Sequence, residues 1–400
     1  DRCEFTNCNE NTILLANRAG ANEQPRGTFQ FTNNKVLNNQ GLFIKTTRMN
    51  TKPVIDNNVF ESTTVNGIYF INLQTNQKLI ELNHNTFSHI TSTGTTEKGV
   101  GGTGIFLEST ISEFTIKYNN CKFLDNTNNL DSYPNCVGGA IQYGFSDASN
   151  LNCHVQIINC EFKNNKAKKH GGAVAIRTAK TVLIQDCKFE TNLANNANGN
   201  SQLLSNDKGF GGGVYLCPVF TANNNNYEAS TINVQGCEFK DNQAYQGFAV
   251  YIEGDECDTS FVITENTFDG NSNTADSAVE GSAICSEVQT VSRRTILTMN
   301  TFVGHDDPEN TLPSFNFVDA KGDPIPDSEQ PPDIVIFNIH NSTSDGRHDI
   351  EEDTKQTVLI VIDISKFNGI SYTGDGGAIR IINAGVECNK TEFRGCSSQN

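Results

Sequence analysis

Apolar and polar residues alternate in short runs along the whole chain, and the runs recur. TVLIQDCKF (residues 181–189), TINVQGCEF (231–239) and FVITENTF (261–268) each set apolar side chains at every second position before a turn and a phenylalanine. Alternation over so few positions is the mark of a short strand with one buried face. A second kind of run begins with glycine: GGAIQY (138–143), GGAVAI (171–176), GGGVYL (211–216), GFAVYI (247–252), GSAICS (281–286) and GGAIRI (376–381). No stretch carries a helical period, so the prediction is all-β.

The two kinds of run are joined by one phrase: NCKFLDN (120–126), NCEFKNN (159–165), DCKFETN (186–192), GCEFKDN (236–242) and ENTFDGN (265–271). Aligned on its phenylalanine, the chain reads Phe5, Phe31, Phe60, Phe87, Phe123, Phe162, Phe189, Phe239, Phe268, Phe302, a doubtful Phe337, Phe367 and Phe393, about thirteen units in all. The tightest units are about 26 to 29 residues long, and longer intervals hold Asn-, Gly- or Pro-rich insertions. Two or three short strands in so small a unit fit one coil of a parallel β-helix, in which each coil stacks on the last. A right-handed helix is expected, because left-handed coils follow a stricter hexapeptide rule. Phe123, Phe162, Phe189, Phe239 and Phe268 should point inward as the structural core repeat, with the Cys or Asn two residues earlier pointing the same way. The Asn three residues after each Phe is expected at a corner in a left-handed conformation, and the glycine pairs at another. Thirteen coils would make a rod on the order of 60 Å long.

The alternating FxxN and GGA[ILV] motifs resemble the polymorphic outer-membrane-protein repeat family, over nearly all of the chain. The resemblance implies a right-handed parallel β-helix similar to the pectin-lyase-like superfamily, displayed at a cell surface and linked to adhesion. After Phe60, Phe302, Phe5 and Phe393 the Asn position holds Thr63, His305, Cys8 and Cys396.

Residues 1–304 read as regular coils and 356–400 as their continuation. Between them, residues 305–355 hold six of the ten prolines and thirteen Asp/Glu against three Lys/Arg. That text reads as an acidic insertion around one degenerate coil near 333–341, either a partner-binding lobe or a solvated loop. The chain opens inside a repeat phrase and stops after FRGC, which suggests a piece of a longer array or a coil supplied by a neighbour.

A formal charge of −17 argues against nucleic acid as a partner. No apolar stretch is long enough to span a bilayer. Thirteen cysteines suit an oxidising compartment. Cys121, Cys160, Cys187 and Cys237 share the inward position and are expected as a row of thiols, whereas Cys3 with Cys8, Cys136 with Cys153 and Cys388 with Cys396 are spaced to bridge. Two glycosylation sequons start at Asn341 and Asn389, the alternative being unmodified asparagine.

Lyases and hydrolases built on this fold need clustered carboxylates on adjacent coils. The nearest match is His305 beside Asp306 and Asp307; Asp186, Asp241 and Asp269 read as solvated corner residues. The histidines show no ligand spacing, so no catalytic residue, metal or cofactor is assigned. The absence of Trp lowers a carbohydrate-binding role without removing it. The expectation is a non-enzymatic extracellular or cell-surface protein, structural or adhesive. Its partners would be proteins: neighbouring surface proteins, or its own copies joined through open β-helix ends into a filament or coat. A polysaccharide lyase or hydrolase is the alternative.

Overall fold

In a computed structural model the described residues are 2–8, 13–16, 30–38, 44–47, 53–61, 68–71, 79–92, 105–108, 114–129, 137–143, 153–177, 179–194, 209–217, 230–245, 247–254, 259–273, 284–288, 295–303, 336–339, 359–363, 366–368, 371–373, 385–389, 392–394 and 397–399. All regular structure among them is strand, and every pairing is parallel. One coil runs Cys153–Ile158, Glu161–Lys163, Lys166–Ala167 and Val174–Arg177 before the next begins at Thr181–Gln185. Repetition of that path stacks four kinds of strand into long sheets: a parallel β-helix, as the repeat predicts.

The sheet built from the Phe strands has twelve strands, and the sheet built from the strands leading into them has eleven. Two-residue strands after the Phe form a six-stranded corner sheet, and the glycine runs form a further six-stranded sheet. In the early coils a four-stranded sheet occupies the equivalent place in the coil path, from Ile13–Ala16 to Ile105–Glu108.

Inward and outward positions alternate as the sequence pattern requires. Val182 and Ile184 are buried between half-exposed neighbours, and the phenylalanines of the phrase are buried completely or nearly so. Strand pairing sets Phe60, Phe87, Phe123, Phe162, Phe189, Phe239 and Phe268 directly over one another. Their rings stack at centroid separations of 4.8 to 5.1 Å, nearly parallel. This spacing is that of the coils themselves, so each ring contacts the next without distorting the backbone.

Two of the thirteen aligned phenylalanines belong elsewhere. Val36 holds the Phe position of the second coil, paired with Phe5 below and Phe60 above. Phe31 lies on the preceding strand, paired with Ile55, and its ring reaches Phe5 and Phe60 at about 6 Å. A buried aromatic ring one strand earlier thus fills the space that the smaller valine leaves. Phe337 lies in Ile336–Ile339, a strand of the glycine sheet, and Phe302 pairs directly with Phe367. The Phe sheet therefore counts twelve coils, on the order of 50 Å from first to last.

Candidate functional site

Corners decide what the stack can present. Each coil turns from its lead-in strand into its Phe strand through two residues, for example Asp186 and Cys187, and this length is the same in every coil. The first of the pair adopts a left-handed conformation: Asn33, Asn57, His84, Asn120, Asn159, Asp186, Gly236, Glu265 and Met299 all have φ between 52° and 63°. A second left-handed residue follows the Phe strand at Asn38, His89, Asp125, Asn164, Thr191, Asp241 and Gly270. Left-handed backbone was expected at the third residue after Phe; it is found at the second. Asp269, expected at a corner, ends the strand Thr267–Asp269.

The asparagine after that left-handed residue turns inward instead. Asn126, Asn165, Asn192 and Asn242 are fully buried and Asn271 nearly so. The side-chain oxygen of Asn192 accepts from both the backbone N–H and the Nδ2 of Asn165, while its own Nδ2 donates to the carbonyl of Phe162 and to Asn242. The same bonds recur from Asn126 to Asn271. Along this row each amide from Asn126 to Asn242 bonds to its copy in the next coil, so its burial costs little in lost hydrogen bonds.

A second inward row stands two residues before the Phe: Asn34, Asn58, Asn85, Cys121, Cys160, Cys187, Cys237, Asn266 and Asn300. Asparagines there donate to a lead-in carbonyl of an earlier coil, as Asn85 does to Ile55. In three of the four cysteine coils the thiol turns to the equivalent carbonyl, for example Cys187 to Ile157 at 3.4 Å, while Cys160 turns to the Ile158 carbonyl of its own coil and its N–H donates to the Cys187 sulfur. The expected row of thiols is thus present. The neighbouring Cys160 thiol and burial hold Cys121 well above the usual thiol range, and burial followed by the flanking thiols does so for Cys187. At Cys160 burial opposes the thiolate, but hydrogen bonds from Cys121 and Cys187 outweigh it.

The glycine corner works by a different rule. Gly138, Gly171, Gly211 and Gly247 have positive φ. The residue after each of the first three lies against backbone: a Cβ on Gly172 would collide with the Gly212 carbonyl and with Leu193. Outside this corner lies a small second core of Val137, Ala175, Tyr215, Cys217 and Tyr251 with Phe210 packed on it. His170 stacks between Phe210 and Tyr215 at 5.0 and 4.7 Å, and its Nδ1 accepts the Phe210 N–H at 3.2 Å. Burial lowers its pKa to about 3, so it is neutral at physiological pH.

The outer surface of the Phe sheet carries charges in an order that the sequence reading missed. Lys122, Glu161, Lys188 and Glu238 form one row and Lys163, Glu190, Lys240 and Asp269 the other, with the sign reversing at each coil. Ion pairs join Lys122 to Glu161 at 3.2 Å, Lys163 to Glu190 at 2.7 Å and Lys188 to Glu238 at 3.7 Å. Writing out the residues on either side of each aligned Phe would have revealed the order.

The remaining predicted positions are spread out. Cys3 is exposed ahead of Glu4–Thr6 and Cys8 half-buried after it. Cys153 opens its lead-in strand with the thiol buried in the core beside Tyr143, and burial raises its pKa. Cys388 and Asn389 close the strand Gly385–Asn389. Cys136, Cys396, Asn341 and the His305, Asp306 and Asp307 group lie outside the described residues, as does the insertion 305–355 apart from Ile336–Ile339. No disulfide occurs among the described residues, which leaves the bridges expected from spacing as proposals. Among the described residues no three His, Cys, Asp or Glu side chains gather as a metal site, and no helix is long and apolar enough to cross a membrane.

Fold and geometry together define a parallel β-helix whose described interior is built of stacked Phe, Asn and Cys rows. No family model, curated protein or solved structure matches the chain.

Proposed function

We propose that this chain is a non-enzymatic structural or adhesive element of a cell exterior, its β-helix serving as a stiff platform. The observation that carries the reading is the constant two-residue corner between the two longest sheets. Because that corner never lengthens, the lead-in and Phe sheets form an uninterrupted wall, and all variation in coil length falls on the other side. There the path from a Phe strand to the next lead-in strand ranges from the short run between Leu37 and Val54 to the long one between Val303 and Leu359. A wall kept free of insertions along its length suits extended contacts with other proteins or with glycans.

Surface display and adhesion follow from the likeness of the FxxN and GGA[ILV] motifs to the polymorphic outer-membrane-protein repeats. The cysteine content supports an oxidising compartment, where glycosylation at Asn341 and Asn389 and bridges such as Cys3–Cys8 belong to the same reading. Immunogold labelling of intact cells from the native source tests the placement. Label on unpermeabilised cells is expected, and label only after permeabilisation would overturn it. Release of new reducing ends or unsaturated sugars from a polysaccharide panel would overturn the non-enzymatic part.

A further inference from the structure

We propose that the outer face of the Phe sheet docks face to face with the same face of a second copy of this chain, the two helix axes running parallel. This deepens the structural reading above by naming both the partner and the surface. The face has three properties that together select this occupant.

The first is flatness. The constant corner and the constant three-residue Phe strands keep insertions off one long edge of this face in the eleven coils that have a lead-in strand. Twelve strands about 4.8 Å apart, each about 17 Å wide with its corner residues, offer on the order of 900 Å². A stable interface buries about 800 Å² per partner, so the area suffices.

The second property is charge order. In coils 162, 189 and 239, numbered by their Phe, the two outward residues flanking the ring have opposite signs: Glu161 with Lys163, Lys188 with Glu190, Glu238 with Lys240. A two-fold axis parallel to the helix axis lays the left position of each coil over the right position of its copy. Glu161 then faces Lys163 of the second copy, Lys188 faces Glu190, and Glu238 faces Lys240, each twice by symmetry.

Third, no position of the sheet opposes this arrangement. At Lys122 with Leu124, and at Thr267 with Asp269, one member of each facing pair is uncharged, so no like charges meet. Sliding the copy by one coil brings Glu161 over Glu190 and Lys188 over Lys163. The alternation therefore selects a register as well as a face, which is what charges at interfaces do best. Pairing within one chain does not exhaust these groups, since the side chains of the three ion pairs remain between 39 and 72% exposed.

The test uses the full chain and two variants of complementary charge. One carries Glu161→Lys, Glu190→Lys and Glu238→Lys; the other carries Lys163→Glu, Lys188→Glu and Lys240→Glu. Sedimentation velocity at low salt should show a dimer for the native chain that weakens at least tenfold in about half-molar salt, where screening reaches only a few ångströms. Each variant alone should be monomeric, and an equimolar mixture should restore a dimer of one of each. Recovery in the mixture also shows that both variants are folded, and should either fail to fold, the milder pair Lys163→Gln and Glu190→Gln should weaken the dimer in proportion. A monomeric native chain at low salt, or variants that dimerise alone as the native chain does, would overturn the proposal. Neither result touches surface placement, which the immunogold experiment reads separately.

Discussion

The wall of lead-in and Phe sheets and the glycine side of the same coils solve one problem in two ways. Both must turn a corner through left-handed backbone in coil after coil. On the wall the turning residue is Asn, Asp, His, Thr or even Met, exposed or half-buried at the surface, and the inward residues beside it hydrogen-bond to their copies above and below. After Gly138, Gly171 and Gly211 there is no such freedom, because the next residue packs directly on the next coil's backbone. A corner held by stacked side chains tolerates varied turning residues but keeps its length; a corner held by backbone packing demands glycine yet lets the chain beside it grow. That division leaves one face of the molecule clear of insertions and the other free to carry them.

Substitutions should separate the two designs, and the largest effect belongs to the glycine corner. Gly172→Ala forces a methyl into the Gly212 carbonyl with only backbone around it to yield. A loss above about 4 kcal/mol in denaturant unfolding is expected, in the range reserved for such steric failures. Next comes the core of the wall: Phe162→Ala removes a fully buried ring stacked on both sides and should cost about 3 to 5 kcal/mol. Asn192→Ala leaves the Asn165 donors and the Phe162 carbonyl without their partner, at about 1 to 3 kcal/mol for each group that water cannot reach. Thr191→Gly at the adjacent turn should by contrast be neutral or stabilising, and a large loss there would contradict the division of labour.

A smaller effect is set by pH. His170 has a folded pKa of about 3, below its ordinary value near 6.5, so the native state favours the neutral ring. The unfolded chain takes up the proton first. Stability from this site is therefore complete above about pH 6.5, declines as pH falls toward 3, and levels off below that. His170→Phe should flatten the acid side of the stability curve relative to the native chain, at a pH-independent cost of about 1 to 3 kcal/mol for the Phe210 N–H that loses its acceptor. Least of all, Lys163→Ala should cost under about 1 kcal/mol, since its pair with Glu190 is largely solvated.

The repeat made the fold legible because each coil must reuse the same inward positions. CKF, CEF and NTF state the buried pair outright, and GGA marks the corner where no side chain fits. Legibility failed where a neighbour could substitute. Phe31 looked like the repeat residue because a ring is needed near that place, yet the ring arrives from the preceding strand and Val36 holds the position. Phe337 sits in an interval so long that spacing no longer specifies the sheet. Asn126 and its copies were assigned to the corner because asparagine suits left-handed backbone. Only the stack shows that their amides are buried partners of one another. The charge order was present in CEFK and CKFE but has no meaning within one coil. It appears when coils are in register, because opposite signs then meet at the spacing between strands.

In-register stacking is the central claim, and a distance between spin labels tests it most directly. Labels at exposed Lys35 and Glu238 occupy the same row of the Phe sheet, with the strands of Phe60, Phe87, Phe123, Phe162 and Phe189 between them. Six coil steps put their backbones about 29 Å apart. In about half-molar salt, where the proposed dimer dissociates, double electron–electron resonance should give a narrow distribution near that value, broadened only by the label linkers. A broad distribution, or a peak beyond about 40 Å, would contradict a continuous stack of coils.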